Sequence, residues 1–125
     1  MRFLMLVKLD ETVPAGAPPP SLFAAIEELG KEATKNGTLV DQGGLMPIAK
    51  GSELRLSGGK ISVTDGPFTE AKEVIGGYSM FELRSKEEAV EEARRFLQAH
   101  VDHWPAAQVT VEVRQLMGPD DLPSE

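Results

Sequence analysis

Two clusters of residues in this 125-residue chain have types and spacing suited to chemistry. The first begins at Asp65, which stands directly before Gly66-Pro67-Phe68. Proline fixes its own φ and restricts the residue before it, so Gly66-Pro67 makes a rigid turn. A carboxylate held at such a turn suits a general base, because reach to the proton matters before pKa does. The same residues also suit an Asx-type turn, in which the carboxylate accepts local backbone N–H groups. Beyond the turn, Thr69 is placed to cap a single helical turn carrying Lys72 and Glu73, and Glu70 adds a further charge. Lys72 could meet an anionic substrate group; the alternative is a solvated turn with weak ion pairing.

The second cluster is His100-Val101-Asp102-His103-Trp104, with both histidines and the only tryptophan. Histidine is the side chain best suited to proton transfer near neutral pH. On a helix His100 and His103 sit at i and i+3, close enough to share one ligand. His100 also extends the stripe of Ala89, Ala93 and Phe96, which would turn it inward. The alternative is a helix end where a histidine meets the last carbonyls and the dipole, with Trp104 as a core plug. No third ligand lies near in sequence, so a metal site is not expected. Gly43-Gly44 and Gly58-Gly59 lack the spacing of a phosphate-binding loop and read as bends.

The elements that must position these residues follow from periodicity. Arg2 to Leu9 reads as a buried strand, and Asp10 to Pro20 as a proline-stiffened loop. Ser21 is a candidate N-cap for a helix with Leu22, Ile26, Leu29 and Ala33 on its apolar face, stopped at Asn36-Gly37. Thr38 to Leu45 reads as a strand interrupted by Gly43-Gly44. Glu53–Leu56 and Lys60–Thr64 flank Ser57-Gly58-Gly59 as a hairpin. Gly77 to Leu83 is the next strand. Ser85 and Glu88 form a capping-box pattern for a second helix, and Val109, Val111 and Val113 mark a last strand. The order β-α-β, hairpin, β-α-β predicts a ferredoxin-like α+β fold with an antiparallel sheet. Both helices would cover one face, and a second subunit would cover the other. Residues 1–117 would form one domain and 118–125 an acidic tail.

Composition narrows the function. A net charge of −7 has the wrong sign for a phosphate-backbone binder, so direct nucleic-acid binding is not expected. The absence of cysteine excludes disulfides and thiolate chemistry. The apolar run Phe3 to Val7 is far too short to span a bilayer, and a cytoplasmic location is the default expectation.

The run Asp65-Gly66-Pro67-Phe68-Thr69-Glu70-Ala71-Lys72-Glu73, closing at Gly76-Gly77-Tyr78, resembles the signature of the YCII-related family, in its DGPF-type branch. Gly43-Gly44-Leu45, the Ser85 helix and His103-Trp104-Pro105 also fit. The resemblance implies a ferredoxin-like fold that dimerises through its sheet face into an α+β barrel. It also implies a cleft in which the aspartate matching Asp65 is a suspected catalytic group. Other YCII-related proteins pair that aspartate with a histidine from the first half of the chain. Here no histidine precedes His100.

The resulting expectation is a cofactor-independent isomerase- or lyase-type enzyme acting on a small polar or aromatic metabolite. Asp65 would act as acid/base with His100 or His103 as proton donor, and Gly66, Pro67, Phe68, Lys72, Tyr78 and Trp104 would contact the ligand. The alternative is a ligand-binding or regulatory module associated with extracytoplasmic-function sigma factors.

Overall fold

A computed structural model describes residues 1–10, 12–68 and 73–123. Strand β1, Arg2–Asp10, runs through the middle of a four-stranded antiparallel sheet ordered β2-β5-β1-β6. Its neighbours are β5, Glu73–Glu82, on one side and β6, Val109–Gln115, on the other; β2, Leu39–Gly44, pairs with the outer side of β5. The register sets Phe3 opposite Phe81, and Met5 between Ser79 and Val113. Side chains two apart on a strand share a face, so Phe3 and Met5 point together toward the helices. They join Ala33, Phe81, Leu83, Ala89 and Ala93 in the main core. Full burial of a side chain such as Phe3 stabilises by about 1.5–3 kcal/mol.

Helix α1 spans Pro20–Lys35, and helix α2 spans Lys86–His103. Ser21 is not the cap of α1. The cap lies two residues earlier, at Pro19, with no side-chain capping bond. Pro20 suits the first helical position because its fixed φ is already helical and its missing N–H would have had no partner. At the far end Gly37 takes φ +72, as expected for a left-handed stop. For α2, Ser85 Oγ accepts the Glu88 N–H at 3.1 Å, while the Glu88 carboxylate accepts from Arg84 N–H at 3.0 Å. Glu73 belongs to β5, so that strand starts before Gly77; Thr69, Glu70 and Lys72 lie outside the described residues.

The hairpin forms from β3, Ser52–Ser57, and β4, Lys60–Asp65, joined at Gly58 (φ +57) and Gly59 (φ +74). It is a separate two-stranded sheet. Leu54 pairs with Val63 and Leu56 with Ile61, and all four are 63–73% exposed.

This architecture corrects the expected dimeric α+β barrel. Among the described residues the fold is α+β, with one four-stranded and one two-stranded antiparallel sheet and two helices. β2 and β6 are the outer edges of the larger sheet, so the sheet is open, and neither barrel closure nor a dimer is seen. Strand periodicity fixes which face is apolar, but not how edges close or what a second surface meets. No described helix is long and apolar enough to cross a membrane.

Candidate functional site

A cleft of about 620 Å³ lies between the sheet and the two helices. Its α2 wall is an aromatic ladder. Phe96 and His100, four residues apart, share one face of the helix, and Trp104 follows at its C-cap. The Phe96 and His100 rings are 4.8 Å apart, and those of His100 and Trp104 are 6.4 Å apart. Leu22, Ile26 and Leu29 line it from α1; Met5, Val7 and Val111 line it from the sheet.

Glycines make the space. Gly44 pairs with Gly77 across β2 and β5, and both line the cleft with Gly43 and Gly76. Adjacent strand residues face opposite sides of the sheet, and a Cβ would meet the Tyr78 ring at Gly43 and the Leu9 side chain at Gly76, so the open position is Gly44. A Cβ on Gly44 would meet nothing within 4 Å. The two glycine pairs are thus built into paired strands, where Gly43-Gly44 was expected to interrupt one.

His100 is the one buried polar residue among those described, at 8% exposure. Its Nδ1 lies 3.0 Å from the Phe96 carbonyl oxygen. A carbonyl only accepts, so Nδ1 carries the proton, and in the neutral ring Nε2 presents a lone pair. No described group is hydrogen-bonded to Nε2. Among the described residues no fully enclosed side-chain nitrogen or oxygen lacks a partner, so Nε2 keeps access to open space. The space that His100 lines is the cleft.

Trp104 Nε1–H donates to the Ala15 carbonyl at 3.0 Å, tying the loop before α1 to the end of α2. Trp104 and Pro18 both line the cleft. Tyr78 also lines it, and its O–H donates to Asp41 Oδ2 at 2.9 Å. That bond, and then the negative charge of Asp41, holds the phenol above its ordinary pKa.

The other expected site residues lie elsewhere. Asp65 is exposed at the end of β4, and its Oδ1 accepts the Ser52 hydroxyl at 2.8 Å. The Gly66 N–H donates to the Gly51 carbonyl at 2.8 Å. Gly66 presses so closely on the chain at 48–49 that a Cβ would overlap the Ile48 carbonyl oxygen. Phe68 packs against Gly51, and the Gly66-Pro67 peptide is cis. None of Asp65, Gly66, Pro67 and Phe68 lines the cleft, and Lys72 is outside the described residues.

His103 is exposed on the last turn of α2, so the two histidines do not converge on one ligand. Asp102 accepts from Gln98 Nε2 at 3.0 Å. Among the described residues no group of three or more His, Asp or Glu side chains is placed to hold a metal.

Of the expected set, the fold brings together His100, Trp104 and Tyr78. Sequence reasoning missed Phe96 as a site residue and the glycine floor. The four-residue spacing of Phe96, His100 and Trp104 was available as a signal; the meeting of two distant glycine pairs was not.

The YCII-related domain model matches residues 1–112. Over 102 residues the chain is 32% identical to an uncharacterised protein of Rhizobium meliloti (strain 1021), covering 82% of this chain and 77% of that protein. The chain belongs to the YCII-related family.

Proposed function

We propose that this YCII-related chain, assigned to the DGPF-type branch by Asp65-Gly66-Pro67-Phe68, binds a small organic molecule in the cleft between the sheet and its helices. One observation carries the reading: a largely apolar cleft of about 620 Å³ is lined by a single buried histidine whose Nε2 has no described partner. Apolar walls with a few convergent polar groups are the usual form of a small-molecule site. The Asp65 turn lacks that form, because its carboxylate is exposed and holds Ser52.

Ligand occupancy as the output is compatible with a regulatory role beside an extracytoplasmic-function sigma factor. A second reading keeps catalysis but moves it. Nε2 would take a proton from the bound molecule, while the Phe96 carbonyl holds Nδ1–H and fixes the ring. The reading with Asp65 as the acid/base would require the ligand to sit at the hairpin base instead.

The test uses N-phenyl-1-naphthylamine, an uncharged dye that brightens in apolar surroundings. Saturable one-to-one binding to the wild type is expected, with loss of binding in Gly44→Leu. Leucine at that position would enter the open space of the cleft without backbone strain, since Gly44 does not use positive φ. No binding, or binding untouched by Gly44→Leu, would rule the cleft out.

A further inference from the structure

Resting on the cleft as the binding site, we infer that its ligand class is an uncharged aromatic molecule carrying one hydroxyl or N–H donor. Three features of the lining lead there. The first is shape and surface. Three aromatic rings, those of Phe96, His100 and Trp104, follow one another at 4.8 and 6.4 Å along the α2 side, with aliphatic side chains of α1 and the sheet also lining the cleft. Flat aromatic molecules fill such a slot with offset or tilted ring contacts.

The second is the polar contact. Nδ1 of His100 is committed to the Phe96 carbonyl, so the neutral ring has only an acceptor left, at Nε2. An acceptor in apolar surroundings selects a ligand that brings a donor. A ligand lacking one would strip Nε2 of water and return nothing.

The third is charge. The charged residues among the described lining are Glu27 and Glu92, and no lysine or arginine is among them. Glu27 pairs with Lys31 at 3.4 Å and Glu92 with Arg95 at 3.5 Å, so those cations are already engaged by acids. A carboxylate or phosphate entering the cleft would lose its hydration with no lining cation in return. The chain's net charge of −7 adds a further, longer-range penalty for anions.

The experiment is competition against bound N-phenyl-1-naphthylamine with three probes of similar size at pH 7.5: 2-naphthol, 2-methoxynaphthalene and 2-naphthoate. Expected is 2-naphthol tighter than its methyl ether by about three- to tenfold, the range of one net hydrogen bond. It should exceed 2-naphthoate by at least about tenfold, as an unpaired charge loses more than a missing bond. In His100→Phe the naphthol and its ether should bind within about twofold of each other. His100→Gln, which keeps an acceptor, should restore part of the preference.

Equal or tighter binding of 2-naphthoate would overturn the inference. So would a naphthol preference that is absent from the wild type or survives in His100→Phe. If the histidine variants fail to fold, the wild-type order of the three probes decides alone. Failure of the dye itself to bind would instead count against the cleft as a site.

Discussion

Alanine at Gly66 and alanine at Gly44 are the same chemical change with opposite expected effects. A Cβ on Gly66 would overlap the Ile48 carbonyl oxygen, with the Ile48 carbonyl carbon at 2.8 Å and the Ala49 carbonyl carbon at 3.1 Å. All three are backbone atoms, so no side chain can swing away. Ordinary carbon contacts lie at about 3.5–4.0 Å, and the turn would have to retreat by about 1 Å or more. That movement opens the 2.8 Å bond from Gly66 N–H to Gly51.

Overpacking of this kind costs about 1–3 kcal/mol and the lost hydrogen bond about 0.5–1.5 kcal/mol, which together predict a loss of about 2–4 kcal/mol for Gly66→Ala. Gly44→Ala meets nothing within 4 Å and needs no positive φ, so it should be neutral or stabilising by up to about 1 kcal/mol. In urea, with a slope of about 2 kcal/mol/M, the Gly66→Ala midpoint should fall by about 1–2 M and the Gly44→Ala midpoint should stay or rise. Far-ultraviolet circular dichroism reads both. Coincident midpoints for the two variants, or a wild-type midpoint for Gly66→Ala, would show that the 48–49 backbone does not confine Gly66.

Three further outcomes follow from single contacts. Tyr78 is the only tyrosine, so absorbance at 295 nm titrates it alone; it should ionise above 10, and Asp41→Asn should bring it back down. Its folded pKa is raised, so the stabilisation is complete below the unfolded value and disappears as pH rises through the folded one; a wild-type transition at or below 10 would exclude the bond in solution. Trp104→Phe keeps an aromatic ring but removes the donor to Ala15, and should cost about 0.5–1.5 kcal/mol while raising amide exchange across residues 12–18; unchanged exchange would show that the bond does not hold the loop. Ser85→Ala removes the α2 cap and should cost about 1 kcal/mol by urea titration, whereas a change under about 0.3 kcal/mol would show that the cap is dispensable.

Local signals in the sequence carried well. Ser85 with Glu88, Gly58-Gly59 between two short strands, and Asn36-Gly37 after an apolar stripe each act within a few residues, and the structure places a cap, a turn and a stop there. Ser21 misled because Pro20 can start a helix without any side-chain cap. Asp65 was legible as an Asx-turn residue as well as a base; its Oδ1 accepts the Ser52 hydroxyl across the hairpin rather than a local backbone N–H. The inward direction of His100 followed from the Ala89, Ala93 and Phe96 stripe, whereas His103, three residues on, rotates out of that stripe to the surface.

The cleft was not legible. It depends on β2 and β5 bringing Gly44 beside Gly77, and on what the helices do not reach. Barrel closure was misjudged for a related reason, since it depends on sheet edges and on a second surface rather than on any strand's own pattern.

The central claim is that the cleft, and not the Asp65 turn, holds the ligand. A crystal structure of the protein soaked with 2-naphthol tests it most directly. The naphthol ring should lie alongside Phe96 and Trp104, with its oxygen within about 3.2 Å of His100 Nε2. Naphthol bound at Asp65-Gly66-Pro67-Phe68, with the cleft left to solvent, would contradict it.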